Sequence, residues 1–366
     1  MAIQYNGHKE ALQNAYMQGR LSLYLGAGVS KASGLPSWEE FVQALYFTTL
    51  NDESYIYEMK PFPNYLFALA EWVLKQKNEP LDIIIRKIKQ WYEGKDFIGM
   101  MSKTLYAGLD KENFGDSVDE ELLNQLLSQN TTLNAVVTCC KRSVPGVSGV
   151  RSVITYNYDN LVEIGLKKYP GSEENFQIIY KKEHAIKPGR IPIYHVHGYI
   201  PYQDDNINYD DIIFSEDQYN RAFQDPFFWG NVVQVNQLTS STGLMIGQSL
   251  SDRNTRRILD SIRNQPLPNN NYILMRRPQF KNIGNPSPEL DEIRSKAEKY
   301  LDKFPRGRMK MPDREPAQIQ NILNRIYEYE QMEFEKGFET LGLNLITYDD
   351  FGEIATVLEE ISHPGG

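Results

Sequence analysis

The segment 23–38, LYLGAGVSKASGLPSW, constrains the fold of this chain more than any other. Leu21, Leu23 and Leu25 form a short apolar run that reads as a buried strand, and the run breaks at Gly26-Ala27-Gly28 ahead of Ser30, Ser33, Gly34 and Pro36. A strand ending this way predicts a phosphate-cradling turn. Glycines let backbone N–H groups approach a diphosphate, serine hydroxyls add donors, and a helix starting there turns its positive end toward the anion. The expected ligand is a dinucleotide, although the spacing is not G-x-G-x-x-G and many glycine-rich strand ends are only tight turns.

Three later segments have the same design. In RSVITYNYDNL (151–161) a β-branched run precedes Thr155, Asn157 and Asp159, whose spacing of two aims them the same way at an extended strand end. IPIYHVHG (191–198) reads as another strand, ending in His197-Gly198, and GLMIGQSLSD (243–252) as another, with Gly247 and Ser249 at its carboxyl end. Apolar strands that all terminate in small or polar residues predict an open parallel sheet that takes its ligand beyond the carboxyl ends of its strands.

In that order, GAGVSKASGLPSW, TYNYDN, the HG of YHVHG and GQSL resemble the sirtuin-type NAD-binding fold, from about residue 20 to about residue 350. The resemblance implies that the glycine turn holds the NAD diphosphate, that Asn157 and Asp159 contact the nicotinamide ribose and carboxamide, and that His197 works on the ribose hydroxyls. Gly247 and Ser249 would line the adenosine side. The expected set is therefore Asn157 and His197 as catalytic residues, with Gly26, Ala27, Gly28, Ser30, Ser33, Pro36, Trp38, Thr155, Asp159, Gly247, Ser249 and Asp252 binding NAD.

The departures from the resemblance carry information too. Deacylases of the sirtuin family hold a zinc ion with two Cys pairs, and a structural zinc site of that kind needs four thiolates. This chain has two cysteines, the adjacent Cys139 and Cys140, so no such site is expected and no metal is called for. The deacylase pattern also runs from the Gly-x-Pro turn into Asp-Phe-Arg, where this chain has Ser37-Trp38-Glu39. The combination is more similar to sirtuin-like effectors of bacterial antiviral systems, which implies an NAD glycohydrolase releasing ADP-ribose and nicotinamide, triggered by infection. The alternatives are a protein deacylase or ADP-ribosyltransferase, and a module that senses NAD or ADP-ribose without catalysis. The same resemblance implies control by homo-oligomerisation or by a partner such as a HerA-like ATPase.

The 39 Lys and Arg against 48 Asp and Glu leave a net charge of −9, so no overall basic field draws the chain to nucleic acid or anionic lipid. With neither a leader-like start nor an apolar run of membrane-spanning length, it reads as a cytoplasmic protein. Adjacent cysteines exclude a disulfide framework and, on a helix, are expected to pack rather than react.

The expected fold class is α/β, a Rossmann-like, mostly parallel sheet with helices on both faces, in one composite domain over residues 1–365. Residues 39–50, 63–76, 81–93 and 118–141 carry helical periodicity and make up an insertion over about 39–141, replacing the zinc module. A second helical excursion is expected over about 281–340, with a long helix near 317–340, and strands at 271–277 and in GLNLITY close the sheet. Ser215 is expected to cap a helix beginning at Glu216. Plainer roles stand beside several site residues: Asp159 capping the helix near Asn160, Asp252 capping the next one, and Arg253, Arg256 and Arg257 forming a solvated face. His195 points the same way as His197 in a strand, so the preference for His197 rests on the family's His-Gly pair.

Overall fold

A computed structural model describes residues 3–5, 7–52, 63–77, 79–92, 97–107, 109, 124, 127–169, 174–202, 212–225, 227–265, 270–280, 288–289, 291–293, 295–296 and 316–363. Most of the expected helical start at 118–126, the polar segment 203–211, most of 281–315 and the last three residues lie outside the described residues. The chain divides into two compact units, Met1–Arg276 with Leu341–Gly366, and Arg277–Thr340.

The first unit is built on a seven-stranded sheet. Its strands are β1 (Leu21–Leu25), β2 (Val150–Thr155), β3 (Phe176–Ile179), β4 (Ile191–His195), β5 (Thr242–Ile246), β6 (Asn271–Arg276) and β7 (Asn344–Tyr348). They lie in the order β3-β4-β2-β1-β5-β6-β7, and every neighbouring pair is parallel. The fold class is thus the α/β, Rossmann-like one that the strand ends predict. β1 occupies the centre, and the chain first builds outward on its β2 side, then crosses to its β5 side. That crossing is a topological switch point, where carboxyl-end loops diverge and leave room for a ligand.

All five residues of β1 are buried, because helices cover both faces. Leu21, Leu23 and Leu25 share a core cluster with Leu133, Val136 and Val137 of α7 (Thr131–Lys141) and with Ile354 and Val357 of α13 (Gly352–Ser362). Each such leucine contributes about 1.5–3 kcal/mol. Ser22 points to the opposite face, where its hydroxyl meets Ser152 Oγ at 2.8 Å and Ser241 Oγ at 2.8 Å. That face is covered by α10 (Trp229–Ser240), which packs on β5. The polar residue inside an apolar strand therefore has hydrogen-bond partners and carries no desolvation penalty of its own.

Between β1 and β2 the chain runs through α2 (Gly28–Lys31), α3 (Trp38–Asp52), α4 (Pro63–Lys77), α5 (Leu81–Trp91), α6 (Phe97–Tyr106) and α7. Phe41, Val42 and Leu45 of α3, Ile84, Ile85 and Ile88 of α5 and Met101 and Leu105 of α6 join the same core cluster as β1. Two features here differ from expectation. Helix α6 has no counterpart in the periodicity reading, and the single helix expected over 118–141 is broken at Asn130, whose φ of −109° and ψ of 87° leave the helical region. The physical reason is a cap: the Asn130 side chain accepts the Leu133 N–H and starts α7 afresh.

The second unit contains α12 (Pro316–Thr340), with Phe280 stacked on Tyr327 at 4.4 Å between ring centroids.

At the centre of the sheet the loops after β1 and β5 touch through glycine. A Cβ on Gly26 would lie 2.5 Å from the Gly247 carbonyl oxygen, one on Gly28 2.8 Å from Gly247 Cα, and one on Gly247 2.7 Å from Val29 N. Gly247 also has φ +66°, which L side chains rarely adopt. Backbone blocks each of these contacts, so no rotamer change can relieve a clash. Gly28→Ala is expected to cost about 1–3 kcal/mol, read as a fall in the urea unfolding midpoint.

Candidate active site

Four consecutive strands in the sheet, β4, β2, β1 and β5, carry the four sequence motifs at their carboxyl ends. Their contacts close into a ring. The Gly28 N–H donates to Gly247 O at 2.9 Å, and five residues beyond Gly247, Asp252 Oδ2 stands 3.6 Å from His197 Nε2. His197 lies edge-on to the Tyr156 ring, with centroids 5.2 Å apart, and next to Tyr156 the Asn157 amide donates to Gly26 O at 3.0 Å.

The glycine turn differs in one respect from the expected anion cradle. The Gly26 N–H donates to Ile246 O and the Gly28 N–H to Gly247 O, so both glycine donors are consumed in joining β1 to β5. Helix α2 is only four residues long, with Ala27 at its N-cap. Ala27 and Gly28 are the exposed residues of the turn. Ser30 and Ser33 are buried and bonded inward: Ser30 Oγ donates to Asp159 Oδ2 at 2.8 Å, and Ser33 Oγ accepts from Asn130 Nδ2 at 2.8 Å. Asn130 also donates to Val29 O at 2.7 Å, which makes it a clamp on the turn that the motif reading misses. Its position just before Thr131-Thr132 was the available signal.

Pro36 is half-buried and leads into a capping box, in which Glu40 Oε2 accepts the Ser37 N–H at 2.7 Å and Ser37 Oγ accepts the Glu40 N–H at 3.4 Å. The hydrogen bond from the Ser37 side chain is the largest influence holding the Glu40 carboxyl below its usual range. Trp38, the first residue of α3, is edge-on to Phe214 at 5.0 Å and tilted against Tyr158 at 6.5 Å. The Gly-Leu-Pro-Ser-Trp sequence therefore starts α3 and docks it on the site wall.

On β2, Thr155 Oγ1 accepts the Asn157 N–H at 3.1 Å, and Asn157 Nδ2 reaches Ser30 Oγ at 3.2 Å as well as Gly26 O. Asp159 is buried, and both carboxylate oxygens are engaged, Oδ2 by Ser30 and Oδ1 by the Leu161 N–H at 3.1 Å. Burial raises its pKa against those two hydrogen bonds. It serves the start of α8 (Leu161–Lys167), the plainer of its two expected roles.

The two histidines of YHVHG separate by their partners. His195 is fully buried, with Nε2 2.6 Å from Glu163 Oε1 and Nδ1 3.2 Å from Asn157 O. Both ring nitrogens are thus engaged by oxygen atoms. His195 is thereby tied into the scaffold under Asn157. His197 is nearly buried and packs against Tyr156 and, at 5.7 Å, Tyr219. Burial lowers its pKa, opposed by the Asp252 charge and by a hydrogen bond with the Tyr156 backbone.

Beyond β5, Ser249 is exposed and shares a 2.8 Å hydrogen bond with Ser251. Asp252 is the N-cap of α11 (Arg253–Arg263), accepting the Asn254 and Thr255 N–H groups and, at 2.7 Å, the Thr255 hydroxyl. Arg253 and Arg256 are exposed as expected, but Arg257 is not a solvated residue. Its guanidinium donates to Phe223 O and to Asn254 Oδ1, each at 2.8 Å, and lies over the Phe223 ring. Asn254 in turn donates to Asn231, so the cap rests on a buried polar network.

Residues 151–301 match the family model of the SIR2-like domain. The SIR2-like segment holds Thr155 to Asp159, His197 and Gly247 to Asp252, while the glycine turn before α3 lies outside it and joins it through the Gly28–Gly247 and Asn157–Gly26 bonds. No curated protein matches the chain. Among the described residues, no group of three His, Cys, Asp or Glu is placed to hold a metal ion. Cys139 and Cys140 are buried in α7, and burial pushes the Cys139 thiol up to about 12. Among the described residues, no helix is long and apolar enough to cross a membrane.

Two outcomes follow from these contacts. Asn130→Ala removes a cap and two buried hydrogen bonds and is expected to cost about 2–4 kcal/mol in urea denaturation. His197, held neutral by burial, binds a proton less readily than in the unfolded chain, whose histidine pKa is about 6.5. Its contribution to stability is complete above that value and is lost as pH falls below it. The urea midpoint should decline from pH 7 to pH 5, and His197→Gln should flatten part of that decline.

Proposed function

We propose that this chain is an NAD glycohydrolase that releases nicotinamide and ADP-ribose at the ring of contacts around His197. The observation that carries the reading is the closure of that ring, which joins the glycine turn, Asn157, His197 and Asp252 across four adjacent strand ends. The SIR2-like match over 151–301 supports a site that handles NAD.

Cleavage of the ribose C1′–nicotinamide bond expels a neutral base from a cation, so the transition state is oxocarbenium-like, and the protein has to orient the pyridinium and supply a water. A neutral imidazole suits the second task. His197 Nε2 accepts a proton from the attacking water, the water oxygen bonds to C1′, and the electrons of the C1′–N bond leave with nicotinamide. The proton taken by His197 then passes to solvent. Asn157 presents its side chain from the strand end between the glycine turn and His197. Asp159 contributes indirectly, by fixing Ser30 and the start of α8.

The proposal extends to an infection-triggered, cytoplasmic effector controlled by assembly, because an activity that depletes NAD has to be restrained at rest. A rate per chain that rises with protein concentration would support that extension.

Incubation with NAD and chromatography of the products tests the core reading. His197→Gln is expected to lower nicotinamide release at least about 100-fold while the thermal transition stays cooperative. Unchanged release by that variant would remove His197 from the chemistry. NAD binding by the parent protein with no nicotinamide formed would favour a sensing module instead.

A further inference from the structure

We propose that Asp252 is the positioning residue for His197: its carboxylate, fixed by the first turn of α11, stabilises the imidazolium that forms when Nε2 takes a proton. The inference rests on the hydrolase reading for its role in turnover, but the pairing itself stands on geometry. Asp252 caps a helix, and the obvious account ends there, since Asp and Asn cap helices about equally well. The cap alone does not explain where the charge points.

Three donors hold the carboxylate, the Asn254 N–H at 3.0 Å, the Thr255 N–H at 3.2 Å and the Thr255 hydroxyl at 2.7 Å. All three are uncharged donors, and together they fix the orientation of the carboxylate. The oxygen shared by the two Thr255 contacts, Oδ2, is also the one 3.6 Å from His197 Nε2. Within the helix cap, therefore, a single oxygen serves the helix and faces the ring. The Asn254–Arg257–Asn231 network fastens that first turn to the end of α9 (Glu216–Gln224) through Ala222 O and Phe223 O. The carboxylate is thus carried by a braced element, as a positioning group requires.

The separation of 3.6 Å exceeds a hydrogen bond, so Nε2 is not locked in the resting structure and is free to meet a water or a ribose hydroxyl. Protonation changes the balance. An imidazolium beside a carboxylate at that distance gains a close opposite charge, with the ring buried and the carboxylate partly exposed. Among the described residues, Tyr156, from the loop after β2, and Tyr219, from α9, also face His197, and burial pushes both hydroxyls above their ordinary range, so they stay neutral. Asp252 is then the charged partner of His197 among the groups that face it.

Asp252→Asn separates the two roles, because asparagine retains the cap and removes the charge. Titration of the His197 ring by NMR, on the ligand-free protein with the resonance assigned through His197→Gln, should show the midpoint in Asp252→Asn lowered by about one pH unit or more. With NAD, the acid limb of kcat/KM should move to lower pH by the same amount. On the plateau kcat should fall at least about 10-fold, as a weaker base requires. Asp252→Ser, a second cap-retaining variant, should behave alike, and an unchanged thermal transition in either shows that the cap persists. An unmoved His197 midpoint in both variants would overturn the pairing, and leave Asp252 as a cap alone. Should the parent protein release no nicotinamide, the hydrolase reading fails, while the ring titration still decides the pairing.

Discussion

The contact between Gly26, Gly28 and Gly247 sets the geometry of everything above the sheet. β1 and β5 are neighbours in parallel register, Leu25 opposite Ile246, so the loops that follow them leave the sheet side by side. With any side chain at those glycines the two loops would have to splay. With glycine they interlock, and the Gly28 N–H completes the join on Gly247 O. The cost is that two donors aimed, by sequence, at an anion are spent on protein. What the interlock leaves outward is the Ala27–Gly28 tip, and any diphosphate contact has to be made there or through side chains of neighbouring loops.

The same economy runs through the polar residues around the turn. Ser30, Ser33, Thr155 and Asp159 are buried and hydrogen-bonded to one another, to backbone or, for Ser33, to the Asn130 side chain, because an unpaired polar atom at these depths costs more than a hydrogen bond returns. Asn130 and Asn157 act as cross-links from opposite sides, one through Val29 and Ser33, the other through Gly26 and Ser30. Several residues expected at a ligand are therefore bonded within the protein as well.

What could be read in advance follows from this. The strands were legible because covered parallel strands are continuous apolar runs, and the lone Ser22 leaves that run intact while its hydroxyl is met by Ser152 on β2 and Ser241 just past α10. The switch point was legible because glycine and small polar residues collect at strand ends for steric reasons that act within a few residues. Helix α6 was not, although Phe97, Met100, Met101 and Leu105 lie at helical spacing, since that stripe spans only ten residues. The break at Asn130 was missed because periodicity continues through it, and only the side-chain cap marks the boundary. The Ser37-to-Glu40 capping box is present in the sequence as S-x-x-E, inside a glycine- and serine-rich segment whose composition also suits a ligand turn. His195 and His197 could not be separated from sequence: alternation sends both to one side, and the difference lies in Glu163, which α8 brings from another part of the chain.

That difference is also the chemical one. His195 has an acceptor at each ring nitrogen and a partner 2.6 Å away, so moving its proton would break the hydrogen bonds that hold Asn157 in place. His197 has the opposite arrangement. Its ring is buried between Tyr156 and Tyr219, which lowers its pKa, and a carboxylate stands just beyond hydrogen-bond reach. A base needs both features, for one without the other gives either a ring protonated at rest or a ring too weak to take a proton. Two histidines two positions apart in the chain are thus set in different surroundings by what the tertiary structure brings to each ring, a helix side chain in one case and a helix N-terminus in the other.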